Sequence, residues 1–265
     1  MRYMGSKSRL AYDICTKINN IALNENITEY YEPFVGGGSI IENVNIQNRY
    51  GSDLNKYLIA LYKKLQEPEM FEYPALTREK WNHIRSNKDK YEDWLVAYAG
   101  LFCSFNGKWF TAWGGDYFDK DDKYHNQQAG GYRSLCNESM LLKNIQFNNC
   151  SYKDITKPHH SIIYCDAPYI GTTQYDGAEE KFNFDEYYTW LEEMAKDNFI
   201  LISEYRMPAD KFKSIRTFEI SSGFGRNFTG DKNIDQITAI EQLFVVKGGW
   251  LVDKYYSNNT DDYDF

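Results

Sequence analysis

Apolar residues follow a helical and then a strand-like rhythm at both ends of the chain, and the pattern weakens in between. Leu10, Ile14, Ile18 and Ile21 recur at helical spacing, which predicts an opening helix over Ser6–Leu23. TEYYEPFVGGGS (28–39) reads as a short aromatic strand breaking into a glycine loop, with a second helix starting near Ser39 or Ile40. RYGSDLN (49–55) reads as a strand ending in Asp53, and Asn55–Leu65 as a helix. After Pro68 the alternation fades. Residues 70 to about 140 hold helical pieces (Arg78–Asn87, Asp89–Phe102) and then a long polar loop rich in Gly, Asn, Asp and aromatics; loops of that length are usually functional or disordered. The rhythm then resumes with strands over Asn144–Asn149 and Ser161–Cys165, a helix over Asp185–Ala195, a strand over Phe199–Ser203, and late strands over Thr217–Ile220 and Gln242–Val246. Strand, glycine turn, helix and strand ending in an acid is the sequence form of a nucleotide-binding α/β unit. The expected architecture is one α/β domain, 1–69 and 141–265, interrupted by an inserted, mainly helical region at 70–140.

Composition narrows this little. With 265 residues, 42% hydrophobic and 26% charged, the chain can bury a sizeable core and reads as an ordinary soluble protein. Aromatics at 17%, including 23 tyrosines, suit core filling and stacking on planar ligands alike. No apolar run approaches the roughly 20 residues of a membrane span, and MRYMGSKSRL lacks the apolar centre of a signal peptide. The five cysteines show no CxxC pairing and the four histidines are not spaced as ligands. Reduced thiols in a cytoplasm, with no metal site and no membrane, are therefore expected.

Charge complicates the partner. A net charge of -8 taken alone argues against nucleic acid, but local patches set the contact field. Basic residues gather at Arg2, Lys7 and Arg9, and again at Arg206, Lys211, Lys213 and Arg216. Acids concentrate at Asp119, Asp121 and Asp122, and at Asp261, Asp262 and Asp264.

Three stretches carry candidate chemistry. In EPFVGGGS (32–39) the glycines let the backbone turn at positive φ and approach a ligand. The motif is neither GxGxxG nor a P-loop, which argues against a pyrophosphate ligand. Asp53 ends the next strand, where an acid can accept ribose hydroxyls or cap the following helix. SIIYCDAPYIG (161–171) runs an apolar strand into Asp166, at the carboxyl end where open α/β sheets bind ligands. Pro168 stiffens the turn, and Tyr169 sets an aromatic face beside the acid. An acceptor next to a stacking ring suits a planar base with an exocyclic amine.

With YMGSK (3–7), SDLN (52–55) and ISEY (202–205), these motifs make almost the whole chain similar to the Dam-like family of DNA adenine-N6 methyltransferases, phage-type members above all. The order of glycine motif, insertion and Asp-Ala-Pro-Tyr resembles the α arrangement, with target recognition in the insertion. The resemblance implies a Rossmann-like sheet, S-adenosylmethionine as cofactor and double-stranded DNA as partner. It places Tyr3, Lys7, Pro33, Phe34, Gly36, Gly37, Gly38, Asp53, Tyr152 and Asp166 at the cofactor. Asp166 and the carbonyl of Ala167 would accept hydrogens of the target amine, with Pro168 holding the turn and Tyr169 stacking on the flipped base. Asn106, Lys108 and Trp109 of SFNGKWF, with Arg133 and Arg226, would face DNA. Ala167 departs from the family's proline. The main-chain acceptor survives, so a working methyltransferase is expected. A weakened DNA- or cofactor-binding module, a transferase using a bulkier donor, and an RNA or protein methyltransferase remain the alternatives.

Overall fold

A computed structural model describes residues 5–155, 158–170, 182–221 and 238–256, which fall into two compact units dividing after Ile155.

The first unit contains, in chain order, α1 (Ala11–Glu25), β1 (Glu29–Glu32), β2 (Asn48–Ser52), α2 (Lys56–Leu65), α3 (Arg78–Ser86), α4 (Asp93–Ala97), β3 (Tyr117–Phe118), β4 (Tyr124–His125), α5 (Gln127–Ser139) and β5 (Ile145–Asn148). Ile14, Ile18 and Ile21 form the buried stripe of α1, each contributing roughly 1.5–3 kcal/mol of burial. The helix starts later than its apolar spacing suggests, because Leu10 N–H closes a turn onto Lys7 O at 2.8 Å. It stops at Asn26, whose left-handed conformation (φ 54) returns its N–H to the last turn. Strand β2 lies between β1 and β5, parallel to both. Asn55 caps α2, its side chain accepting from Tyr57 and Leu58 N–H.

The helix expected from Ser39 or Ile40 does not form; the chain makes hydrogen-bonded turns there instead. The Asn43 amide takes the Ser39 carbonyl at 2.9 Å, and Asn45 N–H goes to the Asn19 side chain at 2.8 Å. The first bond is local and competes with helix, and the second is a tertiary bond to α1, 26 residues away.

The middle region is more ordered than its composition suggests. Trp81 of α3 is buried, its indole N–H shared between Ala99 O (3.0 Å) and Ser104 Oγ (3.1 Å). The helix expected over Asp89–Phe102 is divided into a 3₁₀ turn, α4 and a π-helical turn at Tyr98–Phe102. The polar loop holds the antiparallel pair β3–β4 and most of α5. Gly130 and Gly131 hide α5 from a propensity reading. Packing overrides them: a Cβ on Gly131 would lie 3.0 Å from the Phe102 ring.

The second unit contains β6 (Ile162–Cys165), α6 (Phe184–Met194), β7 (Phe199–Glu204), β8 (Phe212–Ser221), β9 (Thr238–Val246) and α7 (Val252–Tyr256). Every residue of β6 and β7 is buried, as expected of parallel strands covered on both faces. They pair in parallel with Cys165 opposite Ile202, and β9 runs antiparallel between β7 and β8. The late strands are longer than the sequence suggests. The fold is mixed α/β with mostly parallel main strands. Among the described residues no helix is long and apolar enough to cross a membrane, no group of three or more His, Cys, Asp or Glu could hold a metal ion, and none of the five cysteines is in a disulfide.

Candidate active site

In the first unit, β1 delivers the chain into Pro33–Ser39, which folds back between β2 and α2. Val35 N–H bonds Ser52 O at 2.9 Å and seats the turn on the end of β2. Gly36 (φ 43) and Gly38 (φ 72) take left-handed conformations. Two side chains hold Gly36: its N–H donates to Asp53 Oδ2 at 3.0 Å, and its carbonyl accepts the Tyr62 hydroxyl at 2.6 Å. A Cβ on Gly38 would sit 2.7 Å from that same hydroxyl. The glycine at 38 is thus required twice, by conformation and by space.

Asp53 is not the helix cap; Asn55 is. The other oxygen of Asp53 accepts Asn55 N–H at 2.9 Å. Burial raises the Asp53 carboxyl above its ordinary range, opposed by these two backbone donors. Each oxygen retains lone-pair capacity beyond its backbone bond, so the carboxylate can brace the turn and also accept hydroxyls.

Neighbouring segments converge on this turn. Ser6 and Ser39 hydroxyls meet at 2.6 Å, tying the N-terminal motif to the glycine motif. Lys7 is buried, its ammonium 3.3 Å from Gly5 O. The Asn149 amide bonds the carbonyls of Asp53 (2.8 Å) and Leu54 (3.1 Å) and brings the Tyr152 segment alongside. The Phe34 and Tyr152 rings lie 5.5 Å apart at 35°. A backbone cradle, an acid and two aromatic faces fit an adenosyl group carrying an amino-acid tail.

In the second unit, Asp166 follows directly on buried β6 and is half-exposed, while Ala167 is buried. A pocket beside Ala167 is walled by Pro168, Tyr187, Tyr188, Ile202 and Met207. Tyr169 donates its hydroxyl to Glu241 Oε1 at 2.8 Å, and Ile170 N–H donates to Glu204 Oε1 at 2.9 Å. The Tyr205 ring stands at 81° to Tyr169 with centroids 4.6 Å apart. Burial, then the charges of Asp166 and Glu241, push the Tyr169 phenol far above its ordinary range, so it stays a neutral donor.

Comparison with known proteins decides what these two halves belong to. Residues 3–198 match the family model described as D12 class N6 adenine-specific DNA methyltransferase. The chain belongs to this family. It is 23% identical over 219 residues to the Type II methyltransferase M.MjaIII of Methanocaldococcus jannaschii, covering 70% of this chain and 74% of that protein. The crystal structure of SMU.472 complexed with SAH is similar at 12% identity and a TM-score of 0.33 over 87% of this chain. This chain spans about half the length of that structure (52%). Membership of the D12 class makes this an adenine-N6 DNA methyltransferase, with DNA as its substrate.

The expected D12-class DNA residues are spread over the middle region. Asn106 is exposed at a turn, in the left-handed region (φ 54). Lys108 is half-buried and Arg133 is exposed on α5. Trp109 packs on Tyr57 and Phe110, at 5.7 and 5.0 Å between ring centroids. A Cβ on Gly100 would lie 2.6 Å from the Trp109 ring. Tyr3 and Arg226 lie outside the described residues. Sequence reading did not single out Tyr62, Asn149 or Glu241. Glu204 sat inside ISEY without a role.

Proposed function

We propose that this D12-class chain transfers the methyl group of S-adenosylmethionine to the N6 amine of an adenine flipped out of a specific duplex DNA sequence. The reading is carried by Asp166, placed at the carboxyl end of a buried parallel strand and followed by a main-chain carbonyl and the tethered ring of Tyr169. Adenine N6 is a poor nucleophile because its lone pair is delocalised into the ring. Asp166 and the Ala167 carbonyl, aimed at the two amine hydrogens, favour a pyramidal nitrogen and stabilise its developing positive charge. Orientation of the amine by both acceptors supplies much of the remaining acceleration. Extruding the base costs a few kcal/mol, and stacking on Tyr169, worth roughly 1–3 kcal/mol, offsets part of that.

On the donor side, Lys7, Pro33, Phe34, Gly36, Gly37, Gly38 and Tyr152, with Tyr3, hold the cofactor, and Asp53 takes the ribose hydroxyls. When bound, the cofactor supplies an electrophilic methyl on a sulfonium. Residues 70–140 form the recognition insertion within a catalytic body of 1–69 and 141–265. Asn106, Lys108, Trp109 and Arg133, with Arg226, face DNA phosphates and base edges. The Type II name of the Methanocaldococcus jannaschii relative supports a restriction-modification setting.

The test is transfer of labelled methyl from S-adenosylmethionine to duplex DNA, followed by nucleoside mass spectrometry and sequencing of modified bases. N6-methyladenine in one sequence context is expected. Cofactor binding with no transfer to any duplex would overturn the reading in favour of a binding module, as would transfer to RNA or protein alone. A larger N6 adduct would show a different donor.

A further inference from the structure

Tyr169 has been given one task so far, a face for the extruded base, yet its far end is engaged as well. A tyrosine ring held only through its Cα–Cβ bond can swing about two torsions. This one is pinned at the hydroxyl by Glu241 at 2.8 Å and flanked by the perpendicular ring of Tyr205. One residue on, the main chain is pinned by Glu204 at 2.9 Å. Both acids are buried, at 6% and 4% exposure for Glu204 and Glu241. They come from neighbouring strands in fixed register, with Glu204 of β7 opposite Gln242 of β9. The Gln242 amide returns to Tyr205 O at 2.8 Å and locks the same corner.

Two buried acids accept at this corner, one from a phenol and one from a main-chain amide. Burying a carboxyl group is costly unless it is hydrogen-bonded. An acidic acceptor can hold the phenol more strongly than a neutral one. Resting on the proposed reading, we infer that Glu241, supported by Glu204, is a positioning residue: it fixes the plane of the Tyr169 ring, and so the angle at which the target amine meets its two acceptors. It does not touch the base; it acts through the tyrosine. A misplacement of the amine by a fraction of an ångström is enough to slow transfer.

The experiment is a double-mutant cycle read by single-turnover methyl transfer at saturating DNA and cofactor. Glu241→Leu and Tyr169→Phe are each expected to slow transfer by about tenfold, and the double variant is expected to be no slower than either. Glu241→Gln, which keeps a carbonyl acceptor but not the acid, is expected to recover only part of the loss. Cofactor and DNA affinities are expected to change far less than the rate. Additive losses, or wild-type rates in Tyr169→Phe, would overturn the inference, because a ring serving only as a stacking face keeps that face without its hydroxyl. Should Glu241→Leu lose its circular dichroism signal, Tyr169→Phe and Glu241→Gln decide alone. A wild-type protein that methylates no adenine overturns the proposed function and this inference with it; a wild-type protein that methylates normally while the cycle is additive overturns only the inference.

Discussion

The glycine turn of the first unit and the Asp-Ala-Pro-Tyr turn of the second both follow strand ends and are both proposed to face ligands, but they are braced in opposite ways. The glycine turn is held through its main chain: Asp53 and Tyr62 both bond Gly36, and Gly38 survives by having no side chain. The Asp166 turn is held partly through a side chain, with Glu241 gripping the Tyr169 hydroxyl and Glu204 the following amide. The first turn is therefore sensitive to volume, the second to hydrogen-bonding capacity. That difference fits what each is proposed to do: one fits the contour of a bound cofactor, the other orients groups around an amine that changes charge as it reacts.

The largest expected effect breaks the second turn. Asp166→Ala removes one of the two proposed acceptors, and an oriented group of this kind is worth about 10²–10³-fold in rate. Labelled-methyl transfer at saturation checks this. Cofactor affinity, measured by calorimetric titration, should fall far less than the rate. A variant that keeps the wild-type rate would remove Asp166 from the chemistry.

The reverse pattern is expected from the first turn. Gly38→Ala forces a Cβ toward the Tyr62 hydroxyl, which cannot retreat without losing Gly36 O. It also asks alanine to adopt φ 72. Together these cost about 1–3 kcal/mol of stability, visible as a lower Tm. Cofactor affinity should drop, while transfer at saturating cofactor falls much less than in Asp166→Ala. If Gly38→Ala lost rate at saturation and kept its affinity, the division of labour between the turns would be wrong.

The contrast also explains what could be read beforehand. Both turns were legible as motifs, because glycines after a strand and an acid at a strand end are local signals. The parallel strands were legible too, from unbroken apolar runs such as Ile162–Cys165. The braces were not. Tyr62 lies 26 residues from Gly36 and Glu241 lies 72 from Tyr169, and nothing near either residue marks it out from its neighbours. Helix α5 was missed for a related reason: its two glycines weaken it locally, and only the packing of Gly131 against Phe102 makes them useful. The absent helix after Ser39 is the converse, where one local asparagine bond and one tertiary bond to Asn19 accompany turns in place of a plausible apolar helix.

Ala167→Pro should give the smallest effect and sharpens the comparison most finely, since it changes volume at the turn that is insensitive to it. Ala167 is buried and borders a small pocket with Pro168, Ile202 and Met207, where a pyrrolidine ring would add volume. Proline would restrict the unfolded chain and, where its φ is compatible, stabilise by about 0.4–1 kcal/mol. It would also hold Asp166 in the extended region that a residue before proline prefers. The carbonyl at 167 is unchanged, so transfer should stay within about threefold of wild type, a shift of less than about 1 kcal/mol in barrier. Thermal denaturation and single-turnover transfer check the two halves. A variant that is more stable yet as slow as Asp166→Ala would mean that the alanine sets the direction of its own carbonyl, and that the second turn depends on main-chain shape as closely as the first.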